Sequence, residues 1–319
     1  MDWFPDPYED ETLYSVLARL SVYLGVPHSA TFSRAITGAR HWVALTQLPC
    51  QLNSLADRFG RDREFIDRLI DRHSLLPFYT AYVAADVRRA SREAMHGSAY
   101  ALHFALNMSN CPVPAPTHLR FCPACLDEMQ QRYDEAWWRR IHQLPGIEIC
   151  ALHGEPLRNS AVELGRVGRH VLVAADDQSC PMASNSSGHI DLANSVREKL
   201  IVLAQAAQRL LDDPPPALEP VDLHKRRMVA LVAAGLTRGT SKIRWDALES
   251  RVGEFWEGAL QAFPRLRLAA PDSRSWLLKH VRNKWRLAHP LRHLVVDLAI
   301  GNGPAYRAGL QHSLGGRPR

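Results

Sequence analysis

Two short cysteine-bearing motifs constrain this 319-residue chain more than any other feature. Cys122-Pro123-Ala124-Cys125 is followed, after twenty-four residues, by Cys150-Ala151-Leu152-His153. Each motif leaves two residues between its outer members, so each can turn two side chains toward one ion. Three thiolates and one imidazole complete a tetrahedron around Zn2+. The expectation is one structural zinc held by Cys122, Cys125, Cys150 and His153. Four protein ligands leave no position for water or substrate. Such a clamp ties the two turns together across the Tyr133–His142 segment, and its binding free energy becomes folding free energy. Two other readings stand beside it. Reduced core cysteines would need two coincident spacings and a coincident histidine, and a Cys122–Cys125 redox pair leaves Cys150 and His153 unexplained.

Of the remaining cysteines, Cys50 and Cys111 read as buried thiols. Cys180, with His170 and His189 nearby in sequence, brings one cysteine, so a second metal site there is left open and not assigned.

The charge is unevenly spread. Residues 221–319 carry 18 Lys+Arg against 7 Asp+Glu, whereas residues 1–220 carry 21 against 26. The whole positive excess therefore sits in the last third, the part suited to a polyanion. A basic helical domain without a partner is the alternative. The longest strongly apolar run, Met228 to Leu236, is nine residues, less than half of the roughly twenty that a membrane span needs. The acidic, proline-bearing start lacks the basic and apolar regions of a secretion signal. The expectation is a cytoplasmic, nucleoid-associated protein with no membrane partner.

Periodicity predicts a mainly α fold. Leu13, Val16, Leu17, Leu20 and Leu24 recur at helical spacing and stop at Gly25. Leu48, Leu52, Leu55 and Phe59 mark a second helix closed by Gly60, and Phe65, Ile66, Leu69 and Ile70 a third. Residues 55–69 fit a helix-turn-helix pattern, with Ala56 at the crossing and Gly60 in the turn. The second helix, about Arg63 to Arg72, alternates its arginines with Glu64, Asp67 and Asp71, which repel phosphate. A protein-binding use of that shape is therefore favoured over base reading.

Residues 78–107 read as helical, 111–116 as a linker, 162–174 as including a short strand pair, and 196–211 as a helix. Four prolines between Asp212 and Pro220 mark the best boundary. The expected organisation is a helical N-terminal domain (1–115), a zinc-binding knuckle or ribbon with little β and its following helix (116–212), a proline-rich linker (213–220) and a basic helical C-terminal domain (221–319). Apolar stripes there run from Ile243 to Phe263, from Leu277 to Trp285, and from Leu291 to Leu298.

Several enzyme classes find no support. Gly235 to Lys242 has its lysine after Thr240 and Ser241, the wrong order for a phosphate loop. Gly301-Asn302-Gly303 is a lone turn, and no His-Glu-x2-His occurs. The acidic group Asp6, Glu9, Asp10 and Glu11 lacks a neighbouring strand pattern for a two-metal site. It reads as a solvated helix start, where carboxylates suit the dipole.

The motifs, taken together, resemble the TniQ/TnsD family of transposon target-selection proteins. Pro7-Tyr8-Glu9-Asp10-Glu11-Thr12-Leu13-Tyr14-Ser15 is similar to the family's opening motif, and Leu119-Arg120-Phe121-Cys122-Pro123-Ala124-Cys125 to its zinc entry. His142-Gln143-Leu144-Pro145-Gly146, leading to Cys150 and His153-Gly154, is similar to its most specific stretch. Ser275-Trp276-Leu277-Leu278 and His289-Pro290-Leu291-Arg292-His293 resemble the C-terminal region of the TnsD branch. The chain is shorter than a full TnsD, and of the family's second cysteine cluster it keeps Cys180.

The resemblance implies a non-catalytic adaptor that binds DNA at an insertion site and recruits a TnsC-like AAA+ ATPase. The alternative it implies is a TniQ adaptor docked on an RNA-guided CRISPR effector complex with its guide RNA. A homodimer is left open. With the charge split, it points to Arg238, Lys242, Arg244, Arg282, Lys284, Arg286 and Arg292 as DNA contacts, with Trp285 packed beneath the Arg282–Arg286 stretch. Phosphate contacts of this kind position a protein and weaken steeply with salt. For any single arginine, the alternative is a solvated surface charge.

Overall fold

The computed structural model describes residues 3–26, 30–37, 46–97, 102–108, 111–164, 171–182, 193–262, 276–282, 284 and 287–301. Among these the chain is mainly helical, with two small two-stranded sheets.

The first helix, α1 (Leu13–Tyr23), starts where the Thr12 hydroxyl accepts the Ser15 amide at 3.1 Å, and buries Leu13, Val16, Leu17 and Leu20 on one side. After α2 (Ala30–Thr37) come α3 (Leu52–Phe59) and α4 (Arg63–His73). The turn between them uses Gly60 at φ +57°, where an L side chain would be strained. Asp62 then caps α4 by accepting the Phe65 amide at 2.8 Å. Leu52, Leu55 and Phe59 of α3 and Ile66, Leu69 and Ile70 of α4 enter one core, and the Phe4 ring meets Phe59 and Phe65 edge-on. The 78–107 stretch holds the end of α5 (Leu76–Tyr79), then α6 (Ala85–His96) and α7 (Leu102–Ala105).

The central region runs β1 (His118–Phe121), α8 (Pro123–Tyr133), a 3-10 turn (Ile141–Gln143) and β2 (Arg158–Glu163). Of the stretch 162–174, where a strand pair is expected, the described residues place Val162 and Glu163 in β2. β2 pairs antiparallel with β1, Arg120 opposite Asn159 and Phe121 opposite Arg158. Residues 165–170 of that stretch lie outside the described residues.

The long α9 (Asn194–Asp212) buries Leu200, Leu203, Ala204, Ala207, Leu210 and Leu211. It packs on α4 and α5, on the 141–143 turn, and on the helix Pro290–Ala299 of the basic third. That third contains α10 (Pro220–Ala233), the β3 (Thr237–Arg238) and β4 (Lys242–Ile243) hairpin, α11 (Trp245–Trp256), α12 (Trp276–Arg282) and α13 (Pro290–Ala299). Ile243 thus belongs to the hairpin rather than to the helix after it, and Phe263 and Trp285 lie outside the described residues. Across the proline-rich stretch, Arg88 donates to the Pro215 carbonyl at 3.0 Å. Trp256 Nε1 donates to the Val295 carbonyl at 2.9 Å, joining α11 to α13.

One expectation is reversed. Asp10 and Glu11 are not a solvated helix start; they are 4% and 0% exposed. Glu11 bridges to Arg139 through the backbone, and its carboxylate receives Arg19 Nε and Nη2, both at 2.9 Å. Asp10 receives Arg139 at 3.1 Å and Arg140 at 3.2 Å. A buried carboxylate persists where cations neutralise it, and these cations come from far along the chain. A second correction is smaller: Cys50 and Cys111 are half-buried, not buried.

Candidate metal centre and nucleic-acid interface

β1 delivers Cys122 to the start of α8, and Pro123 occupies the first helical turn, where its missing N–H is no loss. Cys125 follows on the same helix. The other pair sits on a tight turn in which the Gly154 amide donates to the Cys150 carbonyl at 2.9 Å and the Cys150 amide to the Glu155 carbonyl at 2.8 Å. Gly154 has φ +65°, a conformation that calls for glycine; a Cβ there would stand 2.9 Å from Ile201 Cδ1, the movable end of a side chain.

Gln143 locks the two halves together. Its Oε1 accepts the Arg120 amide at 3.0 Å, and its Nε2 donates to the Arg120 and Arg139 carbonyls at 2.9 and 3.1 Å. A single side chain so replaces a missing strand partner beside β1. Arg120 in turn reaches the Leu144 carbonyl at 2.6 Å.

The four donor atoms of Cys122, Cys125, Cys150 and His153 lie within 4.8 Å of one another, a group that could hold a metal ion. Cys125 Sγ is 3.6 Å from Cys150 Sγ, and His153 Nδ1 is 3.6, 3.3 and 3.6 Å from the sulfurs of Cys122, Cys125 and Cys150. A tetrahedron with metal–sulfur bonds of about 2.3 Å has edges of about 3.8 Å. The donor set therefore fits a tetrahedral ion in both chemistry and size. Contact with the Cys122 and Cys150 sulfurs, then burial, pushes the Cys125 thiol up. Three thiolates this close need a cation among them.

Of two further residues around this group, Glu128 is absent from the sequence reading and His142 enters it within the family motif. Glu128 accepts from His153 Nε2 at 3.0 Å, which orients the imidazole with Nδ1 toward the sulfurs. Its position, three residues after Cys125 on one helix, was the signal. His142 is buried, with its imidazole pKa pushed down by burial and partly restored by the Cys150 sulfur. Only the fold brings it there. Cys180 is fully buried; the expected companions His170 and His189 lie outside the described residues.

The candidate DNA contacts fall into three groups. Arg238 and Lys242 face each other in register across the β3–β4 hairpin, both exposed, and exposed Arg244 follows at 3.3 Å from the Gly235 carbonyl. Exposed Arg282 lies over the Trp245 ring, 4.8 Å from its centroid, so a ring one residue beyond Arg244 joins α12 to the hairpin. The ring beneath Arg282 is thus supplied by α11. Lys284 is exposed after α12. Arg292 is half-buried, and burial lowers its pKa. Arg286 lies outside the described residues.

On α4, the outward arginines are occupied. Arg63 pairs with Glu93 of α6, and Arg68 with Glu64 at 2.8 Å. Arg92 of α6 reaches Asp67 at 3.7 Å and also pairs with Asp71. No helix among the described residues is long and apolar enough to cross a membrane.

Residues 3–157 match the TniQ family, and residues 203–305 match the family described as Tn7-like transposition protein D. The chain is 29% identical over 309 residues to the Transposon Tn7 transposition protein TnsD of Escherichia coli, a match that takes in 93% of this chain and 57% of that relative. The first match contains the whole Cys/His group and the second nearly all of the basic third, in the order that the motifs follow along the chain. The chain belongs to the TniQ/TnsD family.

Proposed function

We propose that this protein is a non-catalytic adaptor that selects the target of transposition. Cys122, Cys125, Cys150 and His153 hold one structural zinc. Bound there, the ion supplies a rigid cross-link and no open coordination position. Arg238, Lys242, Arg244, Arg282 and Lys284, with Arg286, contact backbone phosphates of target DNA, while Arg292 serves packing.

The observation that carries the reading is the exposed basic row formed by the β3–β4 hairpin and Arg282 on Trp245. A guanidinium resting on an indole keeps its charge outward while its stem packs. Support for transposition comes from the TnsD relative, whose name gives that role. The α3–α4 unit faces protein in this reading, because Arg63 and Arg68 already hold carboxylates and its surface acids repel phosphate. A TnsC-like AAA+ ATPase is the partner proposed for the N-terminal part.

A gel shift with full-length, zinc-loaded protein tests the reading. Charge reversal at Arg238, Lys242 and Arg282 together should abolish the shift and leave the helical circular dichroism unchanged. If the wild-type protein shows no DNA affinity at low salt but co-purifies with an RNA-guided effector complex, the CRISPR-docked adaptor replaces it.

A further inference from the structure

A second group of polar side chains shares only Lys284 with this reading. A cavity of about 200 Å3 lies where the turn after α5 meets α10, α12 and α13. One wall is apolar, built from Val83, Val87, Leu223 and Leu287. The other carries His224, Arg227, His280, Lys284 and His293, and among the described residues no carboxylate lines the space. The carboxylate that acts electrostatically on Arg227, Asp297, lines a smaller neighbouring cavity with Arg226 and Tyr82.

The basic groups are held in place. Tyr82 stacks on His293 at 4.2 Å and 7°, and His293 Nδ1 accepts Arg227 Nη2 at 2.7 Å. Arg227 Nη1 reaches the His280 carbonyl at 3.3 Å. What remains is unsatisfied. Among the described residues, Arg227 is 4% exposed with Nε unpartnered, His280 is 5% exposed with neither ring nitrogen partnered, and His224 Nδ1 has no partner. A buried polar atom left unpaired costs about 1–3 kcal/mol, so several such atoms around one cavity call for something that satisfies them. Lys284 is exposed, which places the way in on its side.

We propose that this cavity is a binding site for a phosphate-class oxyanion, with Arg227 and His280 at its base and Lys284 at its mouth. The nitrogens come from α10, α12, α13 and the segment after α12, and so approach from several directions. A tetrahedral oxyanion presents oxygens to all of them, whereas a carboxylate presents two. The apolar wall gives room for the organic group of an ester. The site does not rest on the target-selection reading: its failure would leave the gel shift on the β3–β4 row unaffected.

Isothermal titration of full-length, zinc-loaded protein with inorganic phosphate is the test. One site per chain is expected. Lys284→Glu, a change at an exposed position, should weaken binding about tenfold or more, the equivalent of one charge-assisted hydrogen bond. His280→Phe keeps a flat ring without nitrogens, and should weaken phosphate at least as much while the melting temperature holds or rises. A purely structural His280 would give the reverse, a lower melting temperature with phosphate binding intact. No heat at millimolar phosphate, or binding unchanged in both variants (an adventitious ion only), would overturn the proposal. Should His280→Phe not fold, Lys284→Glu decides it. Competition identifies the source: displacement by DNA oligonucleotides with or without a 5′-phosphate points to a backbone diester, and displacement by a mononucleotide alone to a small monoester.

Discussion

Arg140 Nε stands 3.2 Å from Asp10 Oδ1, a contact that spans 130 residues of sequence between side chains each 2% exposed. The same guanidinium reaches Asp212 at the end of α9 at 2.9 Å, and the carbonyls of Asp71 and Ser74 at the end of α4 at 3.0 and 3.4 Å. One side chain thereby joins the N-terminal segment, α4, α9 and the stretch leading to the Cys150 turn. Arg19 does the same nearby, between Glu11 and Glu135, with its guanidinium over the Tyr8 ring at 4.5 Å.

Arg140→Ala should therefore lower stability by about 3–5 kcal/mol, because it leaves Asp10 buried without this partner. Asp10→Asn should cost less, since asparagine tolerates the left-handed backbone that Asp10 adopts at φ 56°. Urea unfolding of both variants checks the order. Equal losses would deny Arg140 its linking role.

Removing the ion, or one ligand, should undo the central region. Cys122→Ser or chelation should release about one zinc per chain and abolish the cooperative melting of residues 118–157, since binding free energy there is folding free energy. Glu128→Gln should retain zinc with affinity lowered by about tenfold or more, the effect of losing a carboxylate behind a liganding histidine. Metal analysis together with a competing chelator reads both. Full zinc affinity in Glu128→Gln would remove the carboxylate from the site.

DNA affinity should follow the charge of the basic row. Each phosphate contact contributes about 0.9 to the slope of log affinity against log salt. The Arg238→Ala, Lys242→Ala and Arg282→Ala triple variant should flatten that slope by about 2.7. Arg63→Ala and Arg68→Ala on α4 should leave it unchanged. A slope that responds to the α4 pair and not to the row would exchange the roles of the two surfaces.

Acid should unfold the protein through its buried histidines. Burial pushes His73 down to about 4, even though its Nδ1–H donates to the Glu11 carbonyl at 2.8 Å, and pushes His289 down to about 3. A folded pKa below the unfolded value gives stability that is complete above the ordinary histidine range. It is lost as pH falls from about 6.5 toward the folded values. Each group contributes a slope of up to about 1.4 kcal/mol per pH unit over that window. Asp297, raised to about 6 by burial, acts in the opposite sense, favouring the fold below that pH. Burial also lowers His103, His142, His224, His280 and His293 and raises Glu11, Asp71 and Asp212; with the histidines in the majority, the urea midpoint should fall between pH 7 and pH 5. His73→Gln should reduce that fall. An unchanged midpoint would show that these rings are protonated in the folded state.

The parts legible in the sequence are those in which neighbours along the chain decide the outcome. The spacing of Cys122, Cys125, Cys150 and His153 marks two donor pairs, because a two-residue gap on a helix start or a turn brings its two ends together; that the pairs meet depends on the fold, with Gln143 joining the halves. Helical periodicity placed α1, α3, α4 and α9, because 3.6 residues per turn is a property of the local backbone. Tertiary structure decided what depends on partners far away. Asp10 and Glu11 read locally as a solvated helix start, yet they became buried ion-pair centres because Arg139, Arg140 and Arg19 pack onto them. Arg282 rests on Trp245 of another helix, and Arg227, Lys284 and three histidines meet at one cavity although they span seventy residues. Local patterns record the conformation of a segment but not the identity of what it meets, and it is that meeting which sets the burial and charge of a side chain.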